Sequence, residues 1–514
     1  MFKGSNVMDT ETYRRGALPS IIERFEITNL YGYKTISLES PHSATVLIAQ
    51  NGAGKTTLLN ALDAFLKGQF LRLKNLRFSE IRCRLNSADL VITQQDIQSL
   101  SNLPPDNEIE KFSLKSQIDP PALISFLFND FSISREDYFH LHDHPVFEKA
   151  IRAFDYNGRA TSDYLEKLQT KLFSYNNNLT QVITTIRTVL KDFEILYLPT
   201  YRRIESPLVL DKEEDPYRRR KTKFPFRMFS GDIQFGLSDI SERLSELNRK
   251  ILFESNRGYR QLSADIIKEL LDGSFDRAEM SDLYLPSSED LKLFFTRLKE
   301  GRRAGPFDRY EEIMIPDIDL LLSEKSSASD TNRFLLYFIS KLNLVMEATK
   351  GIENQVEDFI AKCNKYLSNS EIEKNNTPAH GVLQNDSKEL RLNRANLSVS
   401  AVSIPSGRKI ALDALSSGEK QMVSLLAKLY LYPKQKIILI DEPELSLSLD
   451  WQRQILEDVI NAPTCNQLVA ITHSPFVFNN PLEPFARALN ISINADLIPQ
   501  TDDQDDDELG GELA

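Results

Sequence analysis

The chain predicts an α/β fold carrying long helical insertions, and three observations lead there. Three short apolar runs, at residues 44–49, 437–440 and 468–471, have the length and composition of buried strands. Each leads into a polar motif: Gly-Ala-Gly-Lys-Thr after the first, Asp-Glu-Pro after the second, Thr-His-Ser-Pro after the third. Between the first run and the second, apolar residues recur at helical spacing in two long polar regions, roughly 101–190 and 240–370.

The first motif spans residues 49–57, Ala-Gln-Asn-Gly-Ala-Gly-Lys-Thr-Thr. Glycines let a backbone turn its amides inward around phosphates, and Gly52 and Gly54 stand where such a loop needs them. Gln50, Asn51, Gly52, Ala53, Gly54, Lys55, Thr56 and Thr57 are therefore the expected ATP-binding residues, with Lys55 reaching the β- and γ-phosphates and the Thr56 hydroxyl placed for Mg²⁺. Leu58, Leu59, Leu62, Phe65 and Leu66 keep helical spacing, so a helix should begin here with its N-terminal dipole on the phosphates. Ala49 holds the place of the motif's first glycine. Alanine is tolerable there if φ stays negative, so the expected effect is weaker binding at worst.

Roughly 360 residues later comes Leu-Ser-Ser-Gly-Glu-Lys-Gln, residues 415–421. Ser416 or Ser417 can cap a helix running through Val423, Leu425, Leu426 and Leu429, and a helix start with free amides and a hydroxyl is an anion site. Asp441 then ends the second apolar run as the expected Mg²⁺ holder. Glu442 is the expected general base or water-positioning carboxylate, since phosphoryl transfer depends on positioning and charge stabilisation. His473 follows the third run and resembles a switch histidine that senses the γ-phosphate.

Along the chain, residues 1–20 read as an N-terminal arm and 21–100 as a first lobe, with further strands near 78–85 and 90–93. Gln94 or Gln95 occupies the place of a glutamine coupling nucleotide to the insertion. Residues 101–190 form a helical insertion interrupted by prolines, and 191–240 return a strand and a basic loop. Residues 241–395 form a second helical region. There Phe334, Leu335, Phe338, Leu342, Val345 and Met346 mark a helix that could lie antiparallel to one containing Leu237, Ile240, Leu244 and Leu247, as a short coiled arm or a packed subdomain. Residues 396–498 hold a hairpin, the Ser-Gly helix, the Asp-Glu strand and His473. Residues 499–514 read as an acidic, disordered tail.

These motifs resemble the ABC-type ATPases of the RecF, SMC, Rad50 and OLD group. Residues 415–419 resemble the ABC signature with Ser417 in place of glycine; residues 441–447 with Trp451-Gln452 resemble the OLD version of the Asp-Glu motif; residues 25–38 match the group's first hairpin. Residues 195–205 resemble ATPases of bacterial defence operons, the PtuA type of Septu and retron systems above all. The likeness covers roughly residues 20–100, 190–240 and 395–480. It implies an ABC-type head, a mixed sheet with the phosphate-loop helix and an antiparallel β lobe, using ATP and Mg²⁺. It implies that Ser416, Ser417, Gly418 and Glu419 face ATP bound by a partner copy, hence a homodimer through ATP and a higher homo-oligomer. It also implies an HNH nuclease subunit of the PtuB type and, in some retrons, a reverse transcriptase with its DNA–RNA product. OLD proteins add a Toprim nuclease domain, for which the roughly 40 residues after His473 are too few, so no nuclease site is expected.

Composition fits a soluble, cytoplasmic protein. Charged residues make up 26% and hydrophobic ones 41%, and no run approaches the ~18 apolar residues of a membrane span. Cys83, Cys363 and Cys465 are too widely spaced for a disulfide framework. A net charge of −12 argues against a surface that coats DNA, and so against a RecF-like repair ATPase, the alternative reading. Any nucleic acid must be met by a local patch or by a partner, and Arg218, Arg219, Arg220, Lys221 and Lys223, interleaved with aromatics, form the dense basic run. An ABC-transporter subunit is disfavoured because its signature follows the phosphate loop much sooner. ATP as a structural clamp with little turnover stays open. His140, His142 and His144 would share one face of a strand, as metal ligands could, yet no cysteine or carboxylate is paired with them.

Overall fold

The computed structural model describes residues 5–50, 52–101, 108–129, 131, 144–199, 237–272, 284–300, 330–368, 387–445 and 447–493. They fall into two compact units, one within residues 1–203 and 434–514, the other within 234–433.

The first unit opens with helix α1 (Ser5–Gly16), then strands β1 (Ile22–Leu30), β2 (Lys34–Glu39) and β3 (Ala44–Ile48), and helix α2 (Lys55–Leu66). Strands β4 (Glu80–Leu85) and β5 (Ala88–Thr93) follow, then helices α3 (Gln94–Ser101), α4 (Glu108–Ser116), α5 (Pro120–Asn129), α6 (Pro145–Arg152), α7 (Gly158–Tyr175) and α8 (Asn177–Leu190), and strand β6 (Phe193–Leu198). The second unit holds α9 (Leu237–Leu271), α10 (Ser288–Glu300), α11 (Asp330–Leu367), β7 (Lys388–Asn393), β8 (Ser398–Ser403), β9 (Lys409–Ile410) and α12 (Ser417–Leu431). The chain returns to the first unit with β10 (Gln435–Asp441), α13 (Leu449–Ile460), β11 (Cys465–Thr472), β12 (Ala486–Ala488) and β13 (Asn490–Ile493).

Two sheets build the first unit. One is parallel, in the order β12-β3-β11-β10-β6, and the other antiparallel, in the order β13-β2-β1-β4-β5. The fold is the expected α/β head, with its parallel and antiparallel strands sorted into separate sheets. The residues explain the sorting. β10 and β11 are buried along almost their whole length around apolar runs at residues 437–440 and 468–471, as parallel strands covered on both faces tend to be. β4 alternates buried and exposed residues, as an antiparallel strand with one wet face does. Phe25, Phe65 and Phe70 stack edge-on between the two sheets' shared core elements.

The described residues of the insertion expected at 101–190 are mostly helical and join this core through Phe112, Phe126, Phe147, Leu165 and Leu179. Asn176 fixes its return. Its Oδ1 accepts from the Leu179 amide at the start of α8, and its Nδ2 donates to Asp96 Oδ1 at 3.0 Å and Ser99 Oγ at 3.1 Å on α3. Within the N-terminal arm, α1 is tied down because Arg15 Nη1 donates to the carbonyls of Asn461 and Ala462, and Thr12 accepts from Asn461 Nδ2 at 2.7 Å.

In the second unit α9 and α11 run antiparallel, since Glu269 meets Tyr337 and Lys341 while Gly258 lies against Val345. The pair spans 35 and 38 residues, about 50–57 Å of helix. α10 packs Leu291 and Phe294 against it, so the region combines a coiled pair with a packed third helix. No helix among the described residues is long and apolar enough to cross a membrane.

Candidate functional site

Register aligns three strand ends. Ile48 pairs with Thr472, and Asp441 with Ile471, so the segments after β3, β10 and β11 leave the parallel sheet side by side at its carboxyl edge. In open parallel sheets this edge is where ligands sit. The phosphate-loop sequence, Asp441-Glu442 and Thr472-His473 thus meet there, although about 390 to 420 residues separate the first from the other two.

Gly54 is the N-cap of α2 with φ 96°, and Gly52 has φ 77°; both need the left-handed backbone that glycine adopts at little cost. Lys34, on β2, reaches under the loop and donates from Nζ to the Ala53 carbonyl at 2.5 Å. Lys34 is nearly buried, and that burial pushes its pKa down. At the first turn of α2, Lys55 Nζ pairs with Glu442 Oε1 at 2.8 Å, and Thr56 Oγ1 donates to Asp441 Oδ2 at 2.6 Å. Glu442 leaves the strand with φ 53°, and its amide donates to the Ile471 carbonyl at 2.8 Å. A non-glycine residue at positive φ is held by its surroundings, and here it turns the carboxylate toward Lys55. Tyr31 Oη lies 3.3 Å from Thr57 Oγ1 on the same rim.

A carboxylate that sequence reasoning passed over, Glu444, organises the histidine. Its Oε2 accepts from Thr472 Oγ1 at 2.7 Å, its Oε1 accepts from the His473 amide at 3.1 Å, and the same oxygen lies 2.9 Å from the ring's Nδ1. Glu442 stands farther from the same nitrogen, at 3.9 Å. Gln452 donates from Nε2 to the carbonyls of Glu444 and Leu447 and accepts from Ser474 Oγ at 3.1 Å. The repeated acidic residue in Asp-Glu-Pro-Glu was the available signal for Glu444; its partners lie 28 and 29 residues on.

The Ser-Gly helix belongs to the second unit. Of the two serines, Ser416 is the N-cap. Its Oγ accepts from the Glu419 amide and its own amide donates to Glu419 Oε2 at 2.7 Å, closing a capping box. Lys388 pairs with Glu419 at 3.0 Å. Gly418 is buried, and Ser417 is exposed as the first residue of α12.

The residues present fit a nucleotide with a magnesium ion. A Cβ on Gly54 would lie 2.7 Å from Ile36 and 3.5 Å from Lys34 Nζ, so the loop is a cradle only glycine leaves open. Thr56 and Asp441 offer a hydroxyl and a carboxylate oxygen, the hard donors that Mg²⁺ prefers. No cluster of three or more His, Cys, Asp and Glu suited to a metal occurs among the described residues. His144 is no strand ligand: it caps α6, its Nδ1 accepting from the Val146 amide at 3.1 Å. Gln94 Oε1 accepts from the Phe78 amide at the start of α3. Asn51, Ser446, His140, His142, the acidic tail and the basic run with Arg218, Arg219, Arg220, Lys221 and Lys223 lie outside the described residues.

No curated protein matches the chain. Residues 21–478 match a family model described as an AAA ATPase domain (AAA_15), which takes in both motif-bearing halves of the parallel sheet and the insertions between them. The chain therefore belongs to the AAA ATPase domain family, with an ATPase head of the RecF and Rad50 kind.

Proposed function

We propose that this chain binds and hydrolyses ATP, and that it does so in the cytoplasm as the nucleotide-driven subunit of a bacterial anti-phage complex whose HNH nuclease is a separate chain. The ATPase half rests on one observation: Lys55 pairs with Glu442 and Thr56 with Asp441, each joining the phosphate loop to the end of β10. Lys55 exchanges Glu442 for the β- and γ-phosphates. Glu442, released, orients the attacking water in line and takes its proton as the new bond to the γ-phosphorus forms and the bond to the ADP oxygen breaks. Thr56 and Asp441 would hold Mg²⁺, which supplies neutralisation of charge on the β- and γ-oxygens. His473 stands at the edge of this space, and Ser416, Ser417, Gly418 and Glu419 of a second copy complete it, so ATP joins two copies.

The defence half rests on the likeness of residues 195–205 to ATPases of bacterial defence operons, the PtuA type above all, and on a net charge of −12, which suits a chain that meets nucleic acid through a partner. Affinity purification of the tagged Glu442→Gln chain, expressed with its native flanking genes and ATP, tests it. A small HNH protein in the eluate supports the reading, and a reverse transcriptase with a DNA–RNA hybrid places the chain in a retron. Recombination proteins, or bulk DNA with no nuclease, turn the reading to the repair ATPase.

A further inference from the structure

The geometry points to Glu444 as a positioning residue that holds the His473 imidazole by Nδ1 and so makes Nε2 the ring nitrogen turned to the nucleotide. The inference rests on the proposal that this edge of the sheet receives ATP. Glu444 is 6% exposed, yet both of its oxygens are occupied by donors from two consecutive residues, Thr472 and His473. With three contacts on one carboxylate, it cannot rotate away from the imidazole without also releasing the end of β11. Its competitor Glu442 lies 3.9 Å from Nδ1, past hydrogen-bond reach, and is engaged by Lys55 at 2.8 Å.

The hold extends to both sides of the histidine. Thr472 before it is bonded to the Glu444 side chain, and Ser474 after it is bonded to Gln452, which also donates to the Glu444 carbonyl. His473 itself keeps 47% of its side chain exposed. An imidazole that open has rotamer freedom to lose when it engages a ligand, and a fixed carboxylate removes that freedom beforehand. The chemical consequence concerns the tautomer. With Nδ1 turned to Glu444, Nε2 is the ring nitrogen left to meet a ligand. Orienting carboxylates behind a working histidine fix tautomer and ring direction in this way.

The test uses the full chain with ¹⁵N-labelled histidine. Six histidines give few signals, and His473→Ala identifies the one that matters. The expected spectrum shows His473 with its proton on Nδ1, and Glu444→Gln is expected to mix the tautomers. The same variant is expected to lower kcat for ATP hydrolysis about 10–100-fold while KM for ATP stays within about threefold. In a His473→Ala background Glu444→Gln is expected to cost less than about twofold more. A wild-type His473 protonated at Nε2 instead of Nδ1 overturns the assignment. So does an equal loss of turnover with and without His473, which would make Glu444 a strap between strand ends. Should the amide variant fail to fold, Glu444→Asp, which keeps the charge and shortens the reach, carries the same expectations. If the wild-type chain hydrolyses no ATP, the ATPase reading falls, and the histidine spectrum still decides what Glu444 holds.

Discussion

Replacing Gly54 by alanine should cost the first unit more than the same change at Gly52, and the packing around each sets the margin. Both glycines have left-handed backbone, with φ 96° and 77°. A Cβ in that region costs about 1–2 kcal/mol at either site. At Gly52 nothing stands within 4 Å of the new atom, so backbone strain is the whole cost. At Gly54 the new atom would lie 2.7 Å from Cδ1 of Ile36. Ile36 is fully buried in β2, so its side chain cannot swing into solvent, and overpacking of that kind costs about 1–3 kcal/mol. The sum is about 2–5 kcal/mol for Gly54→Ala against about 1–2 kcal/mol for Gly52→Ala. Urea unfolding followed by the fluorescence of Trp451, the single tryptophan, reads the difference in the unit that carries the loop. Equal midpoint shifts for the two variants would refute the packing of the loop on Ile36.

Two further outcomes are expected. Ser416→Ala removes the cap and the capping box of α12 and should cost about 1 kcal/mol of stability, measured by thermal melting, whereas Ser417→Ala should cost clearly less because its hydroxyl is outside the box; the reverse order would reassign the cap. Burial pushes the Cys83 and Cys363 thiols above the ordinary value of 9.0. In the unfolded chain these thiols ionise near pH 9 while the folded ones keep their protons, so their contribution is complete below pH 9 and is lost as the pH climbs toward the folded values. Each thiol steepens the loss by up to about 1.4 kcal/mol per pH unit. Urea midpoints measured above pH 9 should therefore fall less steeply for Cys83→Ala than for the unaltered chain, and parallel slopes would contradict this.

How much of the molecule could be read from its residues depends on whether the signal is local. The strands β3, β10 and β11 are legible because a strand buried on both faces carries a near-continuous apolar run. Gly52, Gly54, Lys55 and Thr56 are legible because left-handed glycines beside a helix start serve one purpose in that order. The helix start at 416–417 was legible as a cap on either serine, and the Glu419 capping box is what settles it on Ser416. Three features depend on partners distant in sequence and leave little local trace. α1 is polar and without an apolar stripe, and what fixes it are carbonyls at Asn461 and Ala462. Lys34 looks like any strand lysine until the phosphate loop folds over it. Glu444 finds Thr472 and His473 only once β10 and β11 lie in register. The edge strands β12 and β13, three and four residues long, are too short for any period to show.

Phosphate release by the Glu442→Gln chain, measured beside the unaltered chain at saturating ATP and Mg²⁺, is the most direct test of the chemistry assigned to this site. Removing a general base slows a reaction about 10²–10⁴-fold. The amide also loses its ion pair with Lys55, which leaves that lysine to the phosphates. The expected result is a chain that still binds ATP, turns it over at least about 100-fold more slowly, and accumulates as an ATP-bound dimer. Turnover undiminished by the substitution would contradict the role given to Glu442.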